Sequence, residues 1–109
     1  MQTPRVTSEF WVSAYKKVLE SHAIPIFVVQ KGNMKAGAII VRVSDLQGLS
    51  KIFLQSYDLD GNRRWIELAA GEDSEMDGVI LRQKEVDCDL WVLEVETRNG
   101  HHYLDPVST

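Results

Sequence analysis

Four strand-like segments follow one another between residues 25 and 68, and the short turns between them constrain the fold more than any other feature. Each segment is apolar and β-branched or alternates apolar with polar residues. The segments are Pro25 to Gln30, Ala38 to Val43, Lys51 to Tyr57 and Arg63 to Leu68. Connections this short have no room for the crossover helix that neighbouring parallel strands need. The spacing therefore predicts an antiparallel meander of four strands in chain order.

Two segments with helical periodicity flank these strands. The first runs from Ser8 to about His22, with Thr7 or Ser8 as its cap. Its predicted apolar face consists of Trp11, Ala14, Tyr15, Val18 and Leu19. The second begins at Asp73 or Ser74, continues to Val86 and contains Gly78, which weakens a helix.

A last strand, Leu90 to Thr97, follows the second helix and has the strongest strand pattern in the chain. The turn signal Asn99-Gly100 favours a type I′ hairpin, with His101 to Leu104 as a short return strand. The order is α-ββββ-α-β(β). It predicts an α+β fold with two helices packed on one face of a mainly antiparallel sheet.

Length and composition limit the class of protein. The 109 residues correspond to one domain spanning 1–109, with loose ends expected at 1–6 and 105–109. The one cysteine, Cys88, cannot form an internal disulfide, and this fits a cytoplasmic protein. No apolar run approaches the roughly 20 residues that cross a bilayer, so we expect no membrane partner.

Charge is distributed unevenly along the chain. Residues 1–70 contain nine Lys and Arg against six acids, whereas residues 71–109 contain three against ten. The net charge of −4 makes nucleic acid an unfavoured partner. This exclusion is weaker for the first two-thirds of the chain, which carries a net positive charge.

Carboxylates on strands and turns are the candidate metal ligands. Asp58 and Asp60 begin a turn with the alternate spacing of a calcium loop, but the later ligand positions hold Arg63 and Ala69. Glu94 and Glu96 have the spacing of a metal-dependent nuclease motif, with glutamate where that motif needs lysine. We therefore predict no metal or other cofactor and keep these four residues as weak candidates.

Arg63, Arg64 and Trp65 are the candidates for a partner surface. They follow an exposed turn, and arginine and tryptophan are typical anchors of protein interfaces. The alternative for Trp65, as for Trp11 and Trp91, is a place in the core, because each falls on an apolar phase of its element.

Several blocks along almost the whole chain resemble one protein family. They are Phe10 to Tyr15, Lys31-Gly32, Ala36 to Ile39, Tyr57 to Gly61 with Trp65, Asp87 to Val92, Glu94, Glu96 and Gly100-His101. In order and spacing they resemble the DUF1491 family, small bacterial and mostly alphaproteobacterial proteins without an assigned function. Cys88 departs from the proline that the resemblance leads us to expect. The resemblance implies no catalytic residues.

Three functions stay open at this point. No set of nucleophile, base and orienting residue is visible, which favours a non-enzymatic binding or accessory module with a protein partner. A degenerate metal-dependent enzyme of the nuclease type is the second reading. A structural homo-oligomer, such as a homodimer formed by pairing of an edge strand, is the third.

Overall fold

A computed structural model describes residues 6–57, 59–61, 63–104 and 107–108 of the chain. Two helices and six strands form in the order α1 (Ser8–Ser21), β1 (Ile26–Gln30), β2 (Ile39–Ser44), β3 (Leu49–Tyr57), β4 (Arg63–Glu72), α2 (Asp73–Val86), β5 (Trp91–Glu96) and β6 (Val107–Ser108). The strands make one mixed sheet with the order β1-β5-β2-β3-β4-β6. The predicted α+β class and order of elements are confirmed.

A local capping signal is present at the start of α1 but not at the start of α2. The Thr7 hydroxyl accepts a hydrogen bond from the Phe10 amide at 3.2 Å, which confirms the predicted cap of α1. α1 buries Ser8, Val12, Tyr15 and Leu19. The predicted apolar face included Val18, but this side chain is 42% exposed, so the buried face is rotated about the helix axis relative to the predicted one. At α2 the residue before the helix makes no side-chain cap, and Asp73 is instead the first helical residue.

The predicted meander is only partly right. β2, β3 and β4 are consecutive antiparallel neighbours, but β5 lies between β1 and β2. It pairs antiparallel with β1 and parallel with β2. The segment 31–38 between β1 and β2 is long enough to step over one strand. Because β5 is buried on both faces, it takes a central position and β1 is left at the edge.

The two helices lie on opposite faces of the sheet, which corrects the prediction that they share one. α1 packs on Ile39, Val41 and Leu93, together with Phe53 and Trp65. α2 packs through Met76 and Ile80 on Ile40, Ile52, Leu90 and Val92. The physical reason is that β2 and β5 carry apolar side chains on both of their faces, so each face of the sheet must be covered.

The segment 31–38 is held tightly against the start of β5. The Asn33 amide donates to the Asp89 carbonyl at 3.0 Å, and the Trp91 indole N–H donates to the Asn33 carbonyl at 2.8 Å. A Cβ on Gly32 would come within 2.2 Å of the Asp89 carbonyl oxygen, so only glycine fits there. Several blocks of the family resemblance therefore meet at one structural corner.

The predicted return strand is wrong. Residues 101–104 are irregular, and the short strand β6 pairs instead with β4, in parallel. At the turn only Gly100 has a positive φ, 77°, whereas a type I′ turn needs two such residues. The chain therefore crosses the α1 side of the sheet, where Leu104 is buried in the core. No helix in the described part of the chain has the length and apolar character of a membrane span.

Candidate functional site

Part of the sheet face on the α2 side is left uncovered. α2 lies mainly over β3 and β4 and reaches Val92 at the start of β5, while the later residues of β5 and the edge strand β1 extend beyond it. The result is a groove between β1 and α2, about 300 Å³ in volume, lined by Val29, Arg42, Asp77, Ile80, Leu81, Lys84, Val92 and Glu94. A second stretch of about 460 Å³ continues it past Arg42, Asp77 and Glu94 to Ser44, Leu46, Gly48, Asp73 and Glu96. We call the two stretches together the α2 groove.

Arg42 lies at the centre of the α2 groove and is the most strongly held polar side chain there. Its side chain is only 12% exposed and forms ion pairs with Asp77 at 2.5 Å and Asp73 at 3.5 Å. Its guanidinium also donates to the Asp73 carbonyl at 2.8 Å and to the Ser50 hydroxyl at 3.4 Å. Ser50 in turn donates to the Asp73 carboxylate. This network ties the N-terminus of α2 to β2 and β3 and fixes one wall of the groove.

Glu94 and Glu96 provide further negative charge. The parallel register places Glu94 beside Arg42 and Glu96 beside Ser44, so both carboxylates lie on the α2 side. No ion pair joins either glutamate to a basic side chain in the described part of the chain. In all, four carboxylates line the groove and only two basic side chains, Arg42 and Lys84, compensate them.

The other end of the α2 groove is apolar. Val29 and Leu81 line it and are 47% and 58% exposed. Phe27 pairs with Glu94 across β1 and β5 and so projects from the same face, with 53% of its surface exposed. Apolar side chains clustered in this way on a surface commonly mark a binding site. The groove therefore joins an apolar end to an acidic end.

The candidate metal ligands that the structure describes do not form a metal centre. Among the residues that the structure describes, no three His, Cys, Asp or Glu side chains are placed to hold a metal ion. Asp60 lies in the turn between β3 and β4, two strands away from Glu94 and Glu96 on β5. Asp58 lies outside the described residues. The structure thus brings Glu94 and Glu96 to one groove but not to Asp60.

Trp65 is a core residue, which corrects its prediction as part of a partner surface. It is 0% exposed, and its ring centroid lies 5.0 Å from that of Trp11 on α1. The indole N–H has no hydrogen-bond partner among the described atoms. Strand alternation puts Trp65 on the α1 side with Phe53, so that α1 covers it. Arg64 is half-buried, and the Arg63 side chain lies outside the described part.

Sequence reasoning missed Arg42 as a site residue. The sequence did contain an indication, because Arg42 points to the same face of β2 as Ile40, and the other residues of this strand are nearly all apolar. A charged residue in such a phase needs partners when buried. The partners, Asp73 and Asp77, lie more than thirty positions away, at separations of 31 and 35 residues. Only the fold shows that they meet it.

Comparison with known proteins gives a consistent picture. A family model described as "Protein of unknown function (DUF1491)" matches residues 6–105. A crystal structure of a DUF1491 family protein from Caulobacter crescentus is 30% identical, covers 95% of this chain and 100% of its own, and superposes with a TM-score of 0.88.

Two solution structures are also similar. One, an NMR structure of a DUF1491 family protein from C. crescentus, is 29% identical over 98% of this chain and 100% of its own, with a TM-score of 0.85. The other, protein Atu0922 from A. tumefaciens, is 29% identical over 86% of this chain and 87% of its own, with a TM-score of 0.75. None of the curated proteins matches the chain.

Proposed function

Because the chain belongs to the DUF1491 family, whose function is unknown, we propose from geometry alone that it is a non-enzymatic binding module and that the α2 groove is its binding surface. The observation that carries this proposal is the union of an apolar end, at Val29 and Leu81, with an acidic end, at Glu94 and Glu96. A cytoplasmic location is part of the proposal and is supported by the exposed free thiol of Cys88.

The groove chemistry defines the partner. Apolar side chains of the partner would contact Val29, Leu81 and Phe27, and a lysine or arginine would contact Glu94 and Glu96. Arg42 is already held by Asp73 and Asp77, so among the groove residues described the cation that could compete for these glutamates is Lys84. The partner is therefore a protein segment that presents an apolar side chain next to a basic one. The excess of carboxylates disfavours nucleic acid at this surface.

Model peptides test the proposal directly. A fluorescein-labelled peptide of alternating leucine and lysine is titrated with the full chain, and a peptide of alternating leucine and glutamate serves as the charge control. We expect saturable binding of the first peptide, observed as a rise in anisotropy, and none of the second. Because the contacts are exposed ion pairs, binding should weaken as salt is added.

A matched pair of variants locates the surface. The double variant Glu94→Gln with Glu96→Gln should weaken the leucine-lysine peptide about fivefold, the effect of two partly exposed ion pairs. The control, Glu75→Gln with Glu85→Gln, removes the same charge from exposed positions of α2 and should change affinity little. Equal losses in both variants, or no binding of the peptide, would refute the α2 groove as the site.

The other functions differ in their support. Edge strand β1 favours the homodimer as a second candidate, because Phe27, Val28 and Val29 are exposed and the strand has no charged residue to prevent pairing with another copy. Light scattering at rising concentration tests this, and a monomer throughout would refute it. The nuclease-like alternative draws no support from the described residues, where no three potential metal ligands converge.

A further inference from the structure

A second cavity, half open to solvent, lies on the opposite side of the sheet from the α2 groove and is bordered by the segment that follows β5. Its volume is about 280 Å³, close to the lower end of the ~300–1,000 Å³ of small-molecule sites. Val43, Leu49, Phe53 and Ala70 supply apolar walls, and Thr97 and His102 close it on the side of the crossing segment. We call it the His102 cavity.

The segment that closes the His102 cavity is fixed at several points. The Tyr15 hydroxyl of α1 donates to the His102 carbonyl at 2.7 Å, and Leu104 is 5% exposed in the core. The Thr97 hydroxyl donates to the Asn99 side chain at 2.7 Å. The cavity is therefore preformed, and a ligand would not have to order the segment first.

Most polar groups on the cavity wall are already engaged. Asp45 accepts hydrogen bonds from the amides of Gln47 and Leu49 at 2.7 and 3.1 Å, which hold the carboxylate in the turn. The Ser50 hydroxyl is turned to Asp73 on the other face. Among the described side chains of the wall, His102 and Lys51 remain as donors for a ligand. Lys51 forms an ion pair with Glu67 at 3.7 Å, and the two side chains are 61% and 44% exposed.

The hydrogen bonding of His102 fixes its ring chemistry. The Leu104 amide donates to Nδ1 at 3.1 Å, so the neutral ring carries its proton on Nε2 and offers a donor there. The ring packs against Phe53, another wall residue, with centroids 4.8 Å apart. An apolar chamber with an imidazole donor and an ammonium group suits a ligand with a hydrocarbon body and one negatively charged end.

We propose that the His102 cavity binds a small monocarboxylic acid, with its hydrocarbon part against Phe53 and Val43 and its carboxylate between His102 and Lys51. Burial lowers the pKa of His102, and the charges of Lys51 and His101 lower it further. A carboxylate beside the ring reverses this effect, so binding raises the pKa of His102 and is tighter at lower pH. Other titratable groups lie close to this segment: Asp45 lines the same cavity, the Tyr15 hydroxyl donates to the His102 carbonyl, and His22 stacks on Tyr103.

Nuclear magnetic resonance of the full chain tests the proposal with benzoate and hexanoate as probes. Addition of either acid should shift the amide signals of Val43, Phe53 and Thr97 and raise the pKa of the His102 ring in the unmodified protein. Affinity should be several-fold higher at about pH 5.5 than at about pH 8. The neutral analogues benzamide and hexanamide should bind about tenfold more weakly.

Variants separate the ligand contacts from the wall. His102→Gln and Lys51→Met should each reduce the affinity for benzoate about tenfold. The control, Lys35→Met, removes an exposed ammonium group outside the cavity lining and should have little effect. If His102→Gln does not fold, the ring titration of the unmodified chain still decides the question. Equal binding of acid and amide, or an unchanged pKa of His102 with benzoate present, would overturn the proposal. These results are independent of the α2 groove on the other face.

Discussion

Gly32→Ala is the most informative single change, because the structure gives the position of the added atom. The new Cβ would lie 2.2 Å from the Asp89 carbonyl oxygen, 2.6 Å from Trp91 Cδ1 and 2.7 Å from the Leu90 carbonyl carbon. Two of these atoms are backbone and cannot rotate away. Segment 31–38 must therefore move off the start of β5 or β5 must shift in the sheet.

The expected cost follows from what that movement breaks. Overpacking a tight site costs about 1–3 kcal/mol, and losing one backbone hydrogen bond adds about 1 kcal/mol. The bond at risk is that from the Asn33 amide to the Asp89 carbonyl, 3.0 Å long. We expect a loss of about 3 kcal/mol, a large fraction of the ~5–15 kcal/mol that stabilises a domain of this size. The melting temperature should fall by roughly 10–20 °C.

Thermal unfolding followed by circular dichroism measures this, with Gly78→Ala as the matched control. At Gly78 the nearest atom to an added Cβ is Arg82 Nη1, 3.6 Å away, and the residue lies inside α2. The same substitution should there stabilise the protein by up to about 1 kcal/mol, through helix propensity. A Gly32→Ala protein that melts within a degree or two of the unmodified chain would refute the reasoning.

Three other changes test different parts of the structure. Trp65→Ala should lower the free energy of unfolding in urea by about 3–5 kcal/mol, as expected for a core residue, whereas a surface tryptophan would cost under ~0.5 kcal/mol. Arg42→Met should lower the free energy of unfolding in urea by about 2 kcal/mol, because it removes the network to Asp73 and Asp77. The pKa of His102 in the folded protein lies below its ordinary value of 6.5, so the unfolded chain takes up the proton first as the pH falls. The free energy of unfolding should therefore decrease as the pH drops below about 6.5, and His102→Gln should make this decrease smaller.

The helices and strands can be predicted from local patterns along the chain. The bounds of α1 and α2 are predicted to within a residue, because caps, apolar spacing and Pro25 act over a few neighbouring positions. The central parts of β1 to β5 follow from β-branched and alternating runs in the same way. The family was also accessible, because its blocks are recognised by their order and spacing along the chain. Three of them, Lys31-Gly32, Ala36 to Ile39 and Asp87 to Val92, meet where Gly32 and Gly37 contact Asp89.

Which elements become neighbours is visible in the folded protein and not in the sequence. A central strand can be apolar on both of its faces, but its sequence does not tell which helix covers each face. The sequence therefore could not show that α1 buries Trp65 and that α2 lies on the opposite face. The insertion of β5 between β1 and β2, the meeting of Arg42 with Asp77 and the closing of the His102 cavity join residues far apart in the chain. Such contacts are set by burial of area and by the length of the connections, and no local pattern encodes them.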